Sequence, residues 1–138
     1  MQADFHDAHE RHWDDAERLL QARRWANADH LYGMAAECGL KRLMLCFGMN
    51  FDLVRNRPSD PQDQKHANLI WERFETYRSG HFQGTGYTLS LPNPFQNWVA
   101  EQRYANQSNF DQTLALAHRR GASEVRNLVK QGLRDGLI

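Results

Sequence analysis

The sequence predicts an all-α fold, an up-down bundle of four to five helices, in one domain that spans residues 1–138. Two observations support this prediction. Apolar residues recur at intervals of three and four along several long stretches, as they do on helices with a buried face. Clusters of glycine and proline, which end helices, lie between those stretches. A chain of 138 residues is also long enough to bury one sizeable core.

Composition excludes some classes of protein. Hydrophobic residues make up 41% and charged residues 25% of the chain, which is typical of a globular domain. Lysine plus arginine equals aspartate plus glutamate at 17 each, so net charge does not favour a nucleic-acid partner, and a local basic patch is compatible with this balance. No apolar run reaches the ~18 residues of a membrane span, and the charged N-terminus lacks the apolar region of a secretory signal. We therefore expect a cytoplasmic protein with no membrane partner.

The two cysteines support the same location. Cys38 and Cys46 lie on one predicted helix at a separation of about 12 Å along its axis, which is too far for a disulfide. Free thiols of this kind are typical of a reducing cytoplasm.

The first predicted helix runs from Asp4 to Arg24. Asp4 is a suitable N-cap, and acidic residues in the first turns complement the helix dipole. The predicted inward face consists of Phe5, Ala8, His9, His12, Trp13, Ala16, Leu19 and Leu20. His6, His9 and His12 have a spacing that metal sites use, but the chain has no Glu-x-x-His or Cys-x-x-Cys pair to complete a site. We expect no metal and no cofactor.

The central predicted helix, Trp25–Cys46, is apolar on most of its circumference. Asn27 is a suitable N-cap, and the short turn before it predicts a helical hairpin with the first helix. A helix with this pattern is expected among other helices, because it has apolar residues to bury on most sides. Its apolar and small positions are Ala28, Leu31, Tyr32, Met34, Ala35, Ala36, Cys38, Leu40, Leu43, Met44 and Phe47.

Glu37 and Lys41 place charge on this apolar helix. They have i, i+4 spacing with glutamate first, the favourable order for a helical ion pair. One interpretation is a surface pair that adds about 0.2–0.5 kcal/mol. The other is a partly buried carboxylate that is held for a functional reason. The sequence leaves both open.

The middle of the chain alternates between polar connections and shorter helices. Phe51 to Gln64 is predicted to be a mobile loop, and Lys65 to Arg78 a third helix. The predicted inward face of that helix consists of Ala67, Leu69, Ile70, Trp71, Phe74 and Tyr77. His81 to Phe95 does not have a helical pattern, and the alternation of Tyr87, Leu89 and Leu91 allows a brief extended segment.

Two more helices are predicted towards the C-terminus. Asn93 as cap and Pro94 at the first position predict a short helix to about Glu101. Ser108 or Asn109 can cap a long last helix. Its predicted apolar stripe consists of Phe110, Leu114, Ala117, Gly121, Val125, Leu128, Val129 and Leu133.

The order of these elements resembles the HEPN family of small helical domains. Those domains begin with a helical hairpin in which a short polar turn leads into a helix of the type A-x-x-x-A-E-x-x-L-K. The corresponding stretch here is Ala28–Lys41, with Ala36–Glu37 and Leu40–Lys41 in the expected places. Lys65–His66 before the next helix and Arg103–Tyr104 ahead of the last helix also match the family pattern.

The resemblance implies two kinds of function. Many HEPN domains are metal-independent ribonucleases of toxin–antitoxin and phage-defence systems, with an arginine followed, after four to six residues, by a histidine near the start of the last helix. Here the histidine positions that follow Arg103 hold Ser108, Asn109 and Phe110, and the Arg24–His30 pair has the spacing in the wrong part of the fold. Other members bind nucleotides or are non-catalytic partners of nucleotidyltransferases.

Arg103 also begins the most polar short stretch of the chain, for which two interpretations are open. It either hydrogen-bonds helix-end carbonyls or pairs with Glu37, or it lines a pocket for a phosphate or base. The candidate ligand-binding residues are Arg103, Tyr104, Asn106, Gln107, Ser108, His66, Glu37 and Lys41. None is assigned a catalytic role.

The expected function is therefore that of a HEPN-like, non-catalytic module that binds a nucleotide or RNA in a defence or toxin–antitoxin type system. The resemblance also implies a homodimer and a nucleotidyltransferase-type partner protein. Two alternatives are open: a metal-independent RNase in which a residue such as His66 donates the proton, and a helical bundle that binds a partner protein without a ligand.

Overall fold

The computed structural model describes all 138 residues and confirms a predominantly helical bundle. Its α-helices are α1 (Phe5–Gln21), α2 (Trp25–Cys46), α3 (Ala67–Ser79) and α4 (Gln112–Arg134). An antiparallel hairpin is formed by β1 (Phe51–Asp52) and β2 (Arg57–Pro58). Short 3₁₀ helices span Pro61–Gln64, Ala100–Tyr104 and Gln107–Asn109.

Helix α2 lies at the centre of the bundle, with α1, α3 and α4 packed against it. The close packing depends on small residues: a Cβ atom at Gly33 would lie 2.0 Å from the Trp98 indole. Because α2 is covered on most sides, its polar residues Asp29, Glu37 and Lys41 are buried together with its apolar ones. These three charged side chains therefore depend on partners inside the protein, because they are shielded from water.

Helices α1 and α2 form the predicted hairpin. Asp4 caps α1 as expected, because its carboxylate accepts a 3.0 Å hydrogen bond from the Asp7 amide. Helix α1 ends at Gln21 rather than at Arg24, since Arg23 takes a left-handed conformation with φ 59° that turns the chain. The prediction of Asn27 as N-cap is wrong, because α2 already begins at Trp25.

The segment from Phe51 to Gln64, predicted to be a mobile loop, contains the short β1–β2 hairpin and a 3₁₀ helix, which the sequence did not predict. The Asp52 carboxylate accepts hydrogen bonds of 2.9 Å from the amides of Val54 and Arg55 and closes the hairpin turn. Asp63 is buried and accepts a 2.7 Å bond from Arg73 of α3. The sequence pattern did not show these long-range polar contacts, which fix the segment against α3.

The predicted short helix from Pro94 to Glu101 is also wrong, since that region consists of turns that lead into the 3₁₀ helix Ala100–Tyr104. Asn93 does not cap a helix, and its side-chain oxygen instead accepts a 2.8 Å hydrogen bond from the Phe95 amide within a turn. Trp98 is then drawn into the core, where its indole donates to the Asp29 carbonyl at 3.2 Å. This anchor competes with a regular helical path.

Two further details differ from the predictions: the residue that caps α4 and the exposure of two leucines. Helix α4 begins after Asp111, whose carboxylate accepts a 2.8 Å bond from the Leu114 amide, so neither Ser108 nor Asn109 is its cap. Leu69 and Leu133, expected to face inward, are 49% and 45% exposed. None of the helices combines the length and hydropathy that a membrane span requires.

Candidate functional site

The centre of the candidate site is Glu37, a carboxylate inside the bundle. Glu37 is 6% exposed and Lys41, one turn further along α2, is 5% exposed. The Lys41 ammonium donates to Glu37 Oε1 at 2.8 Å. Of the two interpretations that the sequence left open, the surface pair is therefore excluded; the carboxylate is buried, and a functional reason for its burial stays a prediction.

His66 supplies the second partner of this carboxylate. It occupies the N-cap position of α3, where its side chain makes no capping bond to the helix. Its Nδ1 lies 3.0 Å from Glu37 Oε2, so the imidazole donates across from α3 to α2. The other ring nitrogen, Nε2, has no hydrogen-bond partner in the chain, and the side chain is 49% exposed.

The pKa values of the two groups move in opposite directions. The hydrogen bond to Glu37 raises the pKa of His66 above its ordinary value, against the opposing effect of partial burial. Burial alone would raise the pKa of Glu37, but the bonds from His66 and Lys41 outweigh it and the pKa lies below the ordinary range. Both shifts favour an ionised carboxylate beside a protonated imidazole.

His66 faces a cleft of about 450 Å³ between two segments of the chain. One wall is the end of the 3₁₀ turn and the start of α3, and the other is formed by residues 99–101. The lining residues are Pro61, Gln64, Lys65, His66, Asn68, Leu69, Val99, Ala100 and Glu101. The cleft therefore combines an exposed lysine, the raised-pKa imidazole and a carboxylate with partly exposed apolar side chains.

Arg103 lies on the 3₁₀ helix that forms the second wall. Its guanidinium donates to the Ala100 carbonyl at 3.2 Å and lies 4.8 Å from the centre of the Tyr104 ring. The carbonyl bond matches the first interpretation of Arg103, and no pairing with Glu37 forms. Arg103 and Tyr104 belong to the same 3₁₀ helix as Ala100 and Glu101, which line the cleft, but neither residue lines the cleft itself.

His30 interacts electrostatically with both Arg103 and the buried Glu37 carboxylate. Its ring stacks on Trp98 at 5.6 Å with an interplanar angle of 11°, and its Nδ1 is buried without a hydrogen-bond partner. Burial lowers the pKa of His30, as does the nearby Arg103 charge, while Glu37 acts in the opposite direction. His30 therefore lies within electrostatic reach of both parts of the site.

A second buried network positions the wall that carries Arg103. Asp29 is fully buried and accepts a 2.5 Å hydrogen bond from His118 Nδ1 of α4 and a 2.6 Å bond from the Gln102 amide. His118 Nε2 lies 2.8 Å from the Asn97 side-chain oxygen. These bonds tie residues 97–102 to both α2 and α4. Nothing in the sequence pairs Asp29 with His118, and the one signal of this network is a histidine within the apolar face of α4.

The remaining predicted residues do not join this cleft. Asn106 accepts a 2.9 Å bond from the Ser108 amide, a local turn contact. Gln107 lines a separate cleft of about 290 Å³ beside Arg23, Arg24 and the first residues of α2. Of the predicted binding residues, the structure thus brings together His66, Glu37 and Lys41. Arg103 and Tyr104 lie on the 3₁₀ helix of the opposite wall without lining the cleft, and Asn106, Gln107 and Ser108 are separate from it.

The other histidines and the cysteines have structural surroundings. His9 is fully buried and donates from Nδ1 to the Ala35 carbonyl at 2.7 Å. No group of three or more histidine, cysteine, aspartate or glutamate side chains is arranged to hold a metal ion. Cys38 and Cys46 are free, and burial raises the pKa of the Cys38 thiol to about 12. A thiol with so high a pKa is not an effective nucleophile.

Comparison with known proteins gives no relative. No family model matches the chain, and neither a curated protein nor a solved structure does. The resemblance to HEPN domains therefore stays a prediction from the sequence. The feature of the structure that bears most directly on function is the Glu37–His66 pair beside its cleft.

Proposed function

We propose that this protein is a HEPN-like module that binds a nucleotide or RNA at the cleft beside His66. The observation that carries the proposal is the Glu37–His66 pair, in which a buried carboxylate holds a half-exposed imidazole. Because its pKa is raised above the ordinary value, His66 keeps its second proton to higher pH than a free histidine does, and this cationic form is a hydrogen-bond donor. Such a donor at the mouth of a cleft is suited to a phosphate oxygen.

Other side chains around the cleft support a phosphate and a base together. Lys65 lines the cleft, and Arg103 is carried by the 3₁₀ helix whose first residues form the opposite wall, so both segments bring a basic residue. Tyr104 is 78% exposed, and the Arg103 guanidinium covers one face of its ring, which leaves the other face for stacking on a base. A volume of about 450 Å³ is within the usual range of small-ligand sites.

The proposed binding mode favours single-stranded RNA over a duplex. Stacking on Tyr104 requires an unpaired base, and a cleft between two segments admits a single strand more readily than a helix. The carboxylate of Glu101 in the same cleft opposes phosphate binding. We therefore expect moderate affinity that falls strongly with salt concentration.

Fluorescence anisotropy with a labelled single-stranded RNA of mixed sequence tests the proposal. His66→Gln and Arg103→Ala should each weaken binding by about tenfold, which corresponds to about 1.4 kcal/mol. Arg55→Ala is the matched control, because Arg55 is an exposed arginine on the β-hairpin and lies outside the cleft. Equal affinities for all three variants, or an affinity that does not depend on salt, would contradict RNA binding at this cleft.

The pH dependence of binding gives an independent check on His66. Its protonated form is the one that donates to phosphate, so affinity should fall as the pH rises through the raised pKa of His66. His66→Gln should remove this dependence. The same titration with ATP instead of RNA distinguishes a nucleotide ligand from a polynucleotide.

A second candidate function is a metal-independent RNase, and the orientation of His66 favours it. A histidine held through Nδ1 by a carboxylate, with Nε2 free, is the arrangement of a general acid or base. RNA cleavage in the presence of EDTA, lost in His66→Gln, would support this candidate. The homodimer, the nucleotidyltransferase-type partner, the cytoplasmic location and the defence or toxin–antitoxin context stay predictions.

A further inference from the structure

We propose that Glu101 and His66 form a general base–general acid pair that cleaves single-stranded RNA within the cleft. This inference rests on the proposed RNA binding and adds a reaction and a second reacting residue to it. Glu101 was not among the residues that the sequence singled out. Glu101 becomes a candidate because it lines the same cleft as His66 in the structure.

The two side chains line the same cleft from different elements. His66 lies at the start of α3, and Glu101 lies on the 3₁₀ helix Ala100–Tyr104 of the other wall. The hydrogen bond to Glu37 is the main cause of the raised pKa of His66, and the charge of Glu101 adds a minor part, in keeping with their place in one cleft. A phosphate between the walls would therefore have an imidazole on one side and a carboxylate on the other.

The surroundings of the two groups fit different roles. Glu101 is exposed and makes no hydrogen bond or ion pair in the chain, so its carboxylate is free to accept a proton. His66 is held by the buried Glu37 in a form that can give one away. Pairs of titratable groups in such contrasting surroundings are the usual source of acid and base in catalysis.

Neighbouring contacts hold the 3₁₀ helix that carries Glu101 in place. Gln102 donates to the buried Asp29 at 2.6 Å and accepts from the Val99 amide at 3.2 Å, which fixes the turn that carries Glu101. Arg103 is anchored to the Ala100 carbonyl one turn away. Lys65, which lines the cleft beside His66, supplies a positive charge that can stabilise the added negative charge of a pentacoordinate phosphorus.

The reaction is a transesterification that needs no co-reactant. The Glu101 carboxylate takes the proton of a ribose 2′-hydroxyl, and the 2′-oxygen forms a bond to the adjacent phosphorus. The bond from phosphorus to the 5′-oxygen breaks, and His66 Nε2 gives its proton to that leaving oxygen. The products are a 2′,3′-cyclic phosphate and a 5′-hydroxyl end. Proton exchange with water then returns Glu101 to the carboxylate and His66 to the imidazolium.

Binding and cleavage measured separately on the same variants test this inference. The substrate is a labelled single-stranded RNA in EDTA, and binding is measured on the same sequence with every 2′-hydroxyl methylated, which cannot react. Glu101→Gln should reduce cleavage by about 100-fold or more. The same variant should bind the methylated strand at least as tightly as the wild type, because a negative charge has left the cleft. Glu72→Gln, an exposed glutamate of α3 outside this cleft, is the control and should change neither.

A cleavage rate that stays low at every pH in Glu101→Gln is the signature of a reacting carboxylate, since a purely electrostatic partner of His66 would move the pH at which the imidazole loses its proton and leave the maximal rate in place. Wild-type protein that binds the methylated strand but does not cleave RNA would overturn the inference and leave the proposed binding intact. Cleavage by Glu101→Gln at the wild-type rate would overturn it as well. Failure of the wild type to bind either strand would overturn the proposed function itself. Mass spectrometry of a 2′,3′-cyclic phosphate product would support the stated chemistry.

Discussion

His66 Nδ1 lies 3.0 Å from Oε2 of Glu37, a residue 29 positions earlier in the chain. The same carboxylate accepts a 2.8 Å bond from Lys41 through its other oxygen. One buried carboxylate thus neutralises a buried ammonium and orients a half-exposed imidazole at the rim of a cleft. The candidate function depends on this arrangement of Glu37 with Lys41 and His66.

The Lys41–Glu37 pair should contribute strongly to stability. Lys41→Met leaves a buried carboxylate with only His66 as its partner, and we expect a loss of about 3 kcal/mol in the free energy of unfolding. Arg11→Met is the matched control, because Asp7–Arg11 has the same i, i+4 spacing with side chains that are 70% and 57% exposed. That change should stay within about 0.5 kcal/mol.

Urea denaturation of both variants measures the difference. Similar small losses in both would show that burial of the pair has no energetic consequence. The double change Glu37→Leu with Lys41→Met should recover much of the lost stability, since replacing a whole buried pair by apolar groups is often neutral.

Stability should be greatest near pH 6.5 and fall on either side. Burial lowers the pKa values of His9, His12 and His30, so the unfolded chain binds more protons below pH 6.5 and acid destabilises the fold. The pKa of His66 is raised, so its contribution is complete below pH 6.5 and is lost as the pH rises through the folded-state value. The low pKa of Glu37 adds a further loss below pH 4.5.

Thermal unfolding from pH 5 to pH 8.5 measures this profile. His66→Gln should remove the decline above pH 6.5, while the decline from pH 6.5 to pH 5, which comes mainly from the burial of His9, His12 and His30, should persist. A decline above pH 6.5 that persists in this variant would assign the effect to a group other than His66.

The buried carboxylate of Asp29 should be as important for stability as that of Glu37. Asp29→Asn replaces charge-assisted bonds to His118 and Gln102 by weaker neutral ones, and we expect a loss of about 2 kcal/mol. Asp14→Asn changes an exposed residue of α1 and should stay within about 0.5 kcal/mol. Equal unfolding midpoints in urea for the two variants would show that the Asp29 network does not support the fold.

Gly33 tests the close approach of Trp98 to α2. Alanine favours a helix by about 1 kcal/mol over glycine, but its Cβ would lie 2.0 Å from the indole. The cost of overpacking against Trp98 should exceed the gain in helix propensity, so Gly33→Ala should destabilise the protein by at least about 2 kcal/mol. At Gly86 the added Cβ meets only the flexible end of Gln131 at 3.2 Å, so Gly86→Ala should have little effect. A stabilised Gly33→Ala variant would contradict the packing described here.

Periodicity predicted the long helices because their apolar faces are continuous in the sequence. It predicted α1 and α2 as a hairpin and the burial of residues such as Tyr32 and Leu40. It failed between the helices, where Trp98 and Asp63 take their positions from partners that are distant in the chain. Those segments have no period from which their paths could be read.

The candidate site was predictable in part. Glu37 and Lys41 were singled out by charge on an apolar helix, and His66 by its place before α3. The i, i+4 spacing is the same for buried and exposed pairs, so only the packing of α1, α3 and α4 around α2 decided between them. Glu101 and Asp29 were missed because their importance comes from the groups that face them across the fold.

The titration of the His66 imidazole by NMR tests the central relationship most directly. Long-range proton–nitrogen spectra follow this ring as the pH changes, in the wild type and in Glu37→Gln. The structure predicts a pKa above 6.5 in the wild type, since the Glu37 carboxylate is the main cause of the shift, and a clear fall when that carboxylate becomes an amide. A wild-type pKa at or below 6.5, or one that Glu37→Gln leaves unchanged, would contradict the role of Glu37 and with it the cationic donor on which the proposed function rests.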